Sequence, residues 1–168
     1  MNYKLNFSYK TGKEIKTTEI SNDDVSFDLH QAENGLTLTV ITKKEISDIS
    51  FYLERKYEYP QDSRFFANGF QSWTDTKEFA KNELMADEGI VGKGLFGKSP
   101  FGMNLVGNYT FVEQSKECGV FHSISFAYVR NEKSIDFFGS LNDRTGYTII
   151  YADMNKNTLR FSKDVEGI

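Results

Sequence analysis

Chemistry-bearing side chains are scarce in this chain, and one short stretch holds a large share of them. Phe65-Phe66-Ala67-Asn68-Gly69-Phe70-Gln71-Ser72-Trp73-Thr74-Asp75 places the single Trp among amides, hydroxyls and an acid, beside a glycine that frees the backbone. Aromatic faces cover the apolar C–H surface of a polyhydroxylated ring, while planar amides and carboxylates pair with its hydroxyls two at a time. Asn68, Gln71, Trp73 and Asp75 are therefore candidate substrate-binding residues for a sugar-like ligand. The competing reading is a core Trp with incidental polar neighbours. Residue types alone leave both open.

Other constellations carry less. Cys118 and His122 lie four apart; on a strand such residues share a face but sit too far apart to hydrogen-bond, so they read as a small buried thiol and a cross-strand imidazole rather than a catalytic pair. His30 is the only other histidine, which excludes a histidine-rich metal site. Gly92-Lys93-Gly94-Leu95-Phe96-Gly97 matches G-x-G-x-x-G, but Pro100 and Gly102 follow at once and no Lys-Ser/Thr ending is present. A phosphate site needs a strand before the glycines and a helix after them, so this segment reads as a loop. Neither a G-x-S-x-G elbow nor a calcium-binding D-x-[DN]-x-[DN]-G loop occurs. Asp23-Asp24 reads as a solvated turn, and Asp136, Asp143 and Asp153 as surface charge. No catalytic residue, metal or cofactor is expected.

Period-two alternation dominates the elements that must position these residues. Tyr3, Leu5, Phe7 and Tyr9 alternate with polar residues and predict a half-buried strand; Thr11-Gly12-Lys13 turns into a polar, Thr-rich edge strand over 14–20. Val25, Phe27 and Leu29 precede the hairpin signal Asn34-Gly35, and Leu36 to Ile41 returns. Ile49 to Tyr57 alternates until Pro60 stops it. Strands are expected again over 121–129, 134–141, 147–152 and 158–162. Between them, residues 61–118 read as a long irregular excursion rich in Gly and aromatics, with one short helix over 76–85 capped by Thr76. The expected fold is all-β: an antiparallel β-sandwich over residues 1–168.

Composition agrees and removes some function classes. The chain has 168 residues, with 20 basic and 24 acidic side chains and a formal net charge of −4. That balance argues against a duplex nucleic-acid partner, which usually needs a basic face. Aromatic residues reach 15%, with 15 Phe and 9 Tyr, while Pro numbers only 2, a mixture that favours β structure. No run of about 18 apolar residues is present, so no membrane span is expected. One cysteine and an N-terminus lacking an apolar core fit a cytoplasmic location.

Asn68-Gly69-Phe70-Gln71-Ser72-Trp73, followed by Thr74-Asp75-Thr76-Lys77-Glu78-Phe79, resembles the N-G-[FY]-Q-S-W segment in the N-terminal domain of glycoside hydrolase family 36. That family contains the microbial α-galactosidases and relatives of raffinose synthase. The resemblance covers residues 66–79. It implies a supersandwich-like N-terminal domain, an N-terminal fragment of a longer multidomain enzyme whose retaining catalytic aspartates lie on a separate (β/α)₈ barrel. The domain would itself be non-catalytic, would pack on that barrel, and would give a loop to the sugar pocket or to the interface of a homo-oligomer. Trp73 would then be a sugar-facing or interface aromatic and Asp75 a hydroxyl acceptor for an α-galactoside. Two rivals use the same residues: a free-standing carbohydrate-binding module, and a small-ligand β-barrel with aromatics lining its cavity.

Overall fold

The computed structural model describes residues 3–69, 76–85, 115–142 and 146–165. These residues hold twelve strands and no helix. Alternating sequence becomes strand where expected: β1 (Lys4–Thr11), β2 (Glu14–Thr18), β3 (Val25–Ala32), β4 (Gly35–Thr42) and β5 (Ser47–Lys56). β6 (Arg64–Ala67) and β7 (Lys77–Ala80) follow, then β8 (Val120–Ile124), β9 (Phe126–Arg130), β10 (Ile135–Gly139), β11 (Thr148–Asp153) and β12 (Thr158–Val165). All pairings are antiparallel.

Two sheets and a hairpin result. A six-stranded sheet runs β2-β1-β5-β12-β11-β8, a four-stranded sheet runs β10-β9-β6-β7, and β3 pairs with β4. The four-stranded sheet covers one half of the larger sheet. Phe65, Ala67, Phe79, Ala127 and Val129 meet Phe121, Ile150, Ala152 and Leu159 in the main core, closed by Met85 and Met154. The β3–β4 hairpin covers the other half, where Val25, Phe27 and Val40 pack on Phe7, Tyr9 and Phe51. This is a sandwich-like arrangement. Among the described residues the sheets do not close into a barrel, which overturns the cavity-lining alternative.

Three local expectations are corrected. The helix over 76–85 is instead β7 and a turn: Phe79 lies opposite Phe65 and is fully buried, so cross-strand burial outweighs helical propensity. Consequently the excursion over 61–118 is not wholly irregular, since it contributes two strands to the smaller sheet. The single strand over 121–129 is two, because Ser125 adopts φ 65° and turns the chain from one sheet into the other. Gly119 precedes this unit with φ +78°, and a Cβ there would come within 2.8 Å of the Lys81 carbonyl oxygen. Only glycine fits. Among the described residues no helix is long and apolar enough to cross a membrane.

Asp24 is also not the solvated charge expected. It is buried, and its carboxylate accepts hydrogen bonds from the Tyr9 hydroxyl at 3.0 Å, Lys16 Nζ at 2.8 Å and Lys44 Nζ at 2.5 Å. The hydrogen bond from Lys16, then those from Lys44 and Tyr9, hold its carboxyl well below the usual carboxylate range. Asn22 adds a second tie, with Oδ1 accepting the Asp24 and Val25 amides and Nδ2 donating to Tyr9 Oη. These bonds fasten the base of the β3–β4 hairpin to β1 and β2. Tyr9→Phe keeps the ring but removes both the bond to Asp24 and the one from Asn22, and should lower unfolding free energy by about 1–2 kcal/mol in urea titrations.

Candidate functional site

The Asn68–Asp75 motif belongs to the connection between β6 and β7. Gln71, Trp73 and Asp75 lie outside the described residues, as does the glycine motif over 92–97. Asn68, Gly69 and Thr76 are described and define the base of the connection. The Gly69 amide donates to Thr76 Oγ1 at 3.0 Å, so the hydroxyl expected to cap a helix closes a hairpin instead.

Asn68 is held on three sides. Its amide donates to Ser123 Oγ at 2.6 Å, its carbonyl accepts from the Ile124 amide at 3.0 Å, and its Nδ2 donates to the Ile124 carbonyl at 2.8 Å. Ser123 is fully buried, and its hydroxyl also donates to the Phe126 carbonyl at 2.5 Å. At the turn itself, the Ser125 amide donates to the Thr148 carbonyl and its carbonyl accepts from the Ser140 amide. The β6–β7 connection, the β8–β9 turn and the β10–β11 connection therefore share one end of the sandwich. The Asn68 side chain is partly committed to backbone at that end.

The outward face of the smaller sheet begins there. Its register sets Phe66, Tyr128 and Phe137 side by side on β6, β9 and β10, with Phe126 next along β9. The rings are near-parallel: Phe66 and Tyr128 at 4.7 Å and 6°, Phe66 and Phe126 at 6.0 Å and 20°, Phe126 and Phe137 at 6.0 Å and 22°. Farther along the same face, Glu78 accepts from Tyr128 Oη at 2.9 Å and from Arg130 Nε at 2.8 Å, and pairs with Arg64 Nε at 3.2 Å. The hydrogen bond from Arg130 chiefly holds the Glu78 carboxyl down at about 2. Arg64 also pairs with Glu83 at 3.5 Å, so the cluster balances two cations with two anions.

The remaining candidates do not assemble. Cys118 is exposed rather than buried, because it lies in the turn before β8 and its carbonyl accepts from Asn155 Nδ2. His122 is half-buried on the face of the larger sheet turned away from the smaller one, opposite Tyr151 with ring centroids 6.3 Å apart and beside the buried Ile124–Ile149 pair. Burial pushes its imidazole down to about 4. Asp136 accepts from the Tyr57 hydroxyl at 2.6 Å, and Asp153 caps the 154–157 turn through the Asn155 and Lys156 amides. Among the described residues no group of three or more His, Cys, Asp or Glu is arranged to hold a metal ion. A depression lined by Pro60, Asp62, Asn131 and Lys133 lies at the opposite end of the smaller sheet from Asn68.

Sequence reasoning missed Ser123, Glu78, Arg64 and Arg130. Glu78 and Arg130 are 52 residues apart, and only the pairing of β6 with both β7 and β9 brings them together. A faint signal existed for Ser123, a small hydroxyl between apolar neighbours in a strand. Comparison of the chain with protein-family models, curated proteins and solved structures finds no match.

Two measurements check this arrangement. Ser123→Ala leaves the Asn68 amide and the Phe126 carbonyl without their buried partner and should cost about 1–3 kcal/mol in chemical denaturation. The His122 pKa is lower in the fold than its ordinary 6.5, so protons favour the unfolded chain as pH drops. Stability is unaffected by this group above about 6.5 and should fall between there and about 4; His122→Gln should remove that part of the pH dependence. The Glu78 ion pairs should hold through that interval and fail only as pH falls from the ordinary carboxylate value towards about 2.

Proposed function

We propose that this chain is the non-catalytic N-terminal domain of an α-galactosidase-like glycoside hydrolase. In that role it packs on the catalytic barrel of the same polypeptide and contributes the β6–β7 connection to the sugar pocket or to an oligomer interface. The observation that carries the reading is the Asn68-Gly69-Phe70-Gln71-Ser72-Trp73 motif at a hairpin connection whose base is fastened by hydrogen bonds at Asn68, Gly69 and Thr76. A fixed base at the start and end of a connection is a requirement of a preorganised sugar site. The all-β antiparallel sandwich agrees with the same reading. Trp73 supplies an apolar ring face, Asp75 and Gln71 accept or donate to hydroxyls, and Asn68 both supports the connection and borders it. The isolated chain holds at most part of a pocket, and an incomplete site does not offset the cost of association.

The 168-residue chain should show no turnover of an aryl α-galactoside and little heat with galactose, melibiose or raffinose in calorimetry. The coding frame should continue past codon 168 into alternating strands and helices. Hydrolysis that depends on one of the chain's own carboxylates would overturn the proposal, as would a stop codon directly after Ile168. Strong raffinose binding abolished by Trp73→Ala would favour a free-standing carbohydrate-binding module instead.

A further inference from the structure

The smaller sheet ends at β10 on an unpaired edge, away from the β6–β7 connection that the α-galactosidase-like reading uses. Among the described residues β10 pairs with β9 alone. The Asn131 amide donates to the Ser134 carbonyl and the Ser140 amide to the Ser125 carbonyl, so the even-numbered residues of β10 carry the bonds to β9. Backbone groups alternate sides along an antiparallel strand, which turns the amides and carbonyls of Ile135, Phe137 and Gly139 to the open edge. Large apolar side chains stand there too: Ile135 is 63% exposed, Phe137 66%, and Leu141, just past the strand, 96%.

A row of unpaired backbone groups is a template for another strand, and folded proteins blunt it with charge, proline or brevity. β2, an edge of the larger sheet, holds Lys16 pointing inward to Asp24, and β7 has only four residues, Lys77 and Glu78 among them. β8, at the other edge of the larger sheet, has its Ile124 amide taken by Asn68. β4 is uncharged, but three of its four exposed residues are threonines. β10 holds a single charge, Asp136, whose carboxylate already accepts from Tyr57. Unpaired main chain flanked by apolar side chains selects an extended strand as its occupant.

β10 complements itself. In an antiparallel pairing centred on Phe137, the open-edge groups of Ile135, Phe137 and Gly139 face those of Gly139, Phe137 and Ile135 on the other copy. Phe137 has Phe126 as its inner neighbour, with rings 6.0 Å and 22° apart, and would meet Phe137 of the second copy on its outer side. Ile135 would stand opposite Gly139 of the second copy, a residue without a side chain over which the Phe137 ring leans; an added Cβ there would lie 3.1 Å from Cε1. No like charges oppose one another in this register. A centre on Asp136 would set that carboxylate against its own copy, and a centre on Phe138 would carry Ile135 past the partner strand.

We propose that β10 pairs antiparallel with β10 of a second copy of this chain, joining the two smaller sheets into one. The inference does not depend on the α-galactosidase-like reading. A contact of one short strand makes the dimer weak and concentration-dependent.

Sedimentation velocity of the whole chain over a concentration series up to roughly 1 mM, together with amide hydrogen exchange, tests it. A reversible dimer is expected. With rising concentration the amides of Ile135, Phe137 and Gly139 should gain protection, while those of Asp136 and Phe138, already bonded to β9, change little. Phe137→Lys, at an exposed position, removes the ring pair and sets like charges opposite each other, and should raise the dissociation constant roughly tenfold. Phe137→Tyr should keep the dimer. Trp73→Ala should leave it unchanged, which separates this edge from the β6–β7 connection. A chain that stays monomeric throughout the series would overturn the proposal. So would a dimer that Phe137→Lys leaves intact, one that Trp73→Ala abolishes, or one in which the Ile135, Phe137 and Gly139 amides gain no protection.

Discussion

The passage of the chain from one sheet to the other at Ser123–Ser125 is the constraint on which the rest of this structure depends. A strand that continued straight would leave the smaller sheet without β9, its central partner. Ser125 breaks the strand by taking φ 65°, a conformation that costs a non-glycine residue energy and persists only where its surroundings enforce it. The enforcement is visible in its backbone: its amide is held by Thr148 and its carbonyl by Ser140. Ser123, just before it, uses one hydroxyl to accept from Asn68 and donate to Phe126. One turn therefore joins four segments distant in sequence.

That turn also explains why the two sheets can share a core. Phe121 on β8 points inward from the larger sheet and stacks on Phe65 and Phe79 of the smaller one, at 5.9 Å and 5.1 Å. Ala127 and Val129 on β9 face the same core from the other side of the turn. The inward residues on either side of Ser125 thus meet across the sandwich instead of lying along one strand. Elsewhere the larger sheet meets its hairpin through Asp24, whose two lysines and tyrosine offset the cost of burying a carboxylate. Apolar packing supplies the bulk of the cohesion, and these two polar devices set which elements pack where.

The aromatic excess divides accordingly. Phe7, Phe65, Phe79 and Phe121 fill the cores, whereas Phe66, Phe126, Tyr128 and Phe137 lie on the outward face of the smaller sheet. Neighbours such as Phe65 and Phe66 take opposite fates because successive residues of a strand point to opposite faces. Both faces of a strand with aromatics at successive positions look alike in sequence. The sheet that lies over one of them decides which is core.

Much of the fold was legible. Alternation marked β1 to β5 and β10 to β12 to within a few residues, since a half-buried strand must repeat every two residues. The strand at 77–80 was not, because four residues are too few for a period to declare itself and Phe79 is buried by a partner far away in sequence. Asp24 read as a surface charge because its partners, Tyr9, Lys16 and Lys44, come from three separate segments. Of the candidate site, residue types alone pointed to Asn68, and the structure adds the Ser123 and Ile124 bonds that hold it. By itself, then, the sequence determined an all-β chain and the location of its chemistry-bearing stretch, because both follow from local pattern and residue type. Tertiary structure alone decided the turn at Ser125, the burial of Asp24 and the assembly of Glu78 with Arg64 and Arg130. Each of these rests on contacts between residues that only sheet pairing and packing bring together.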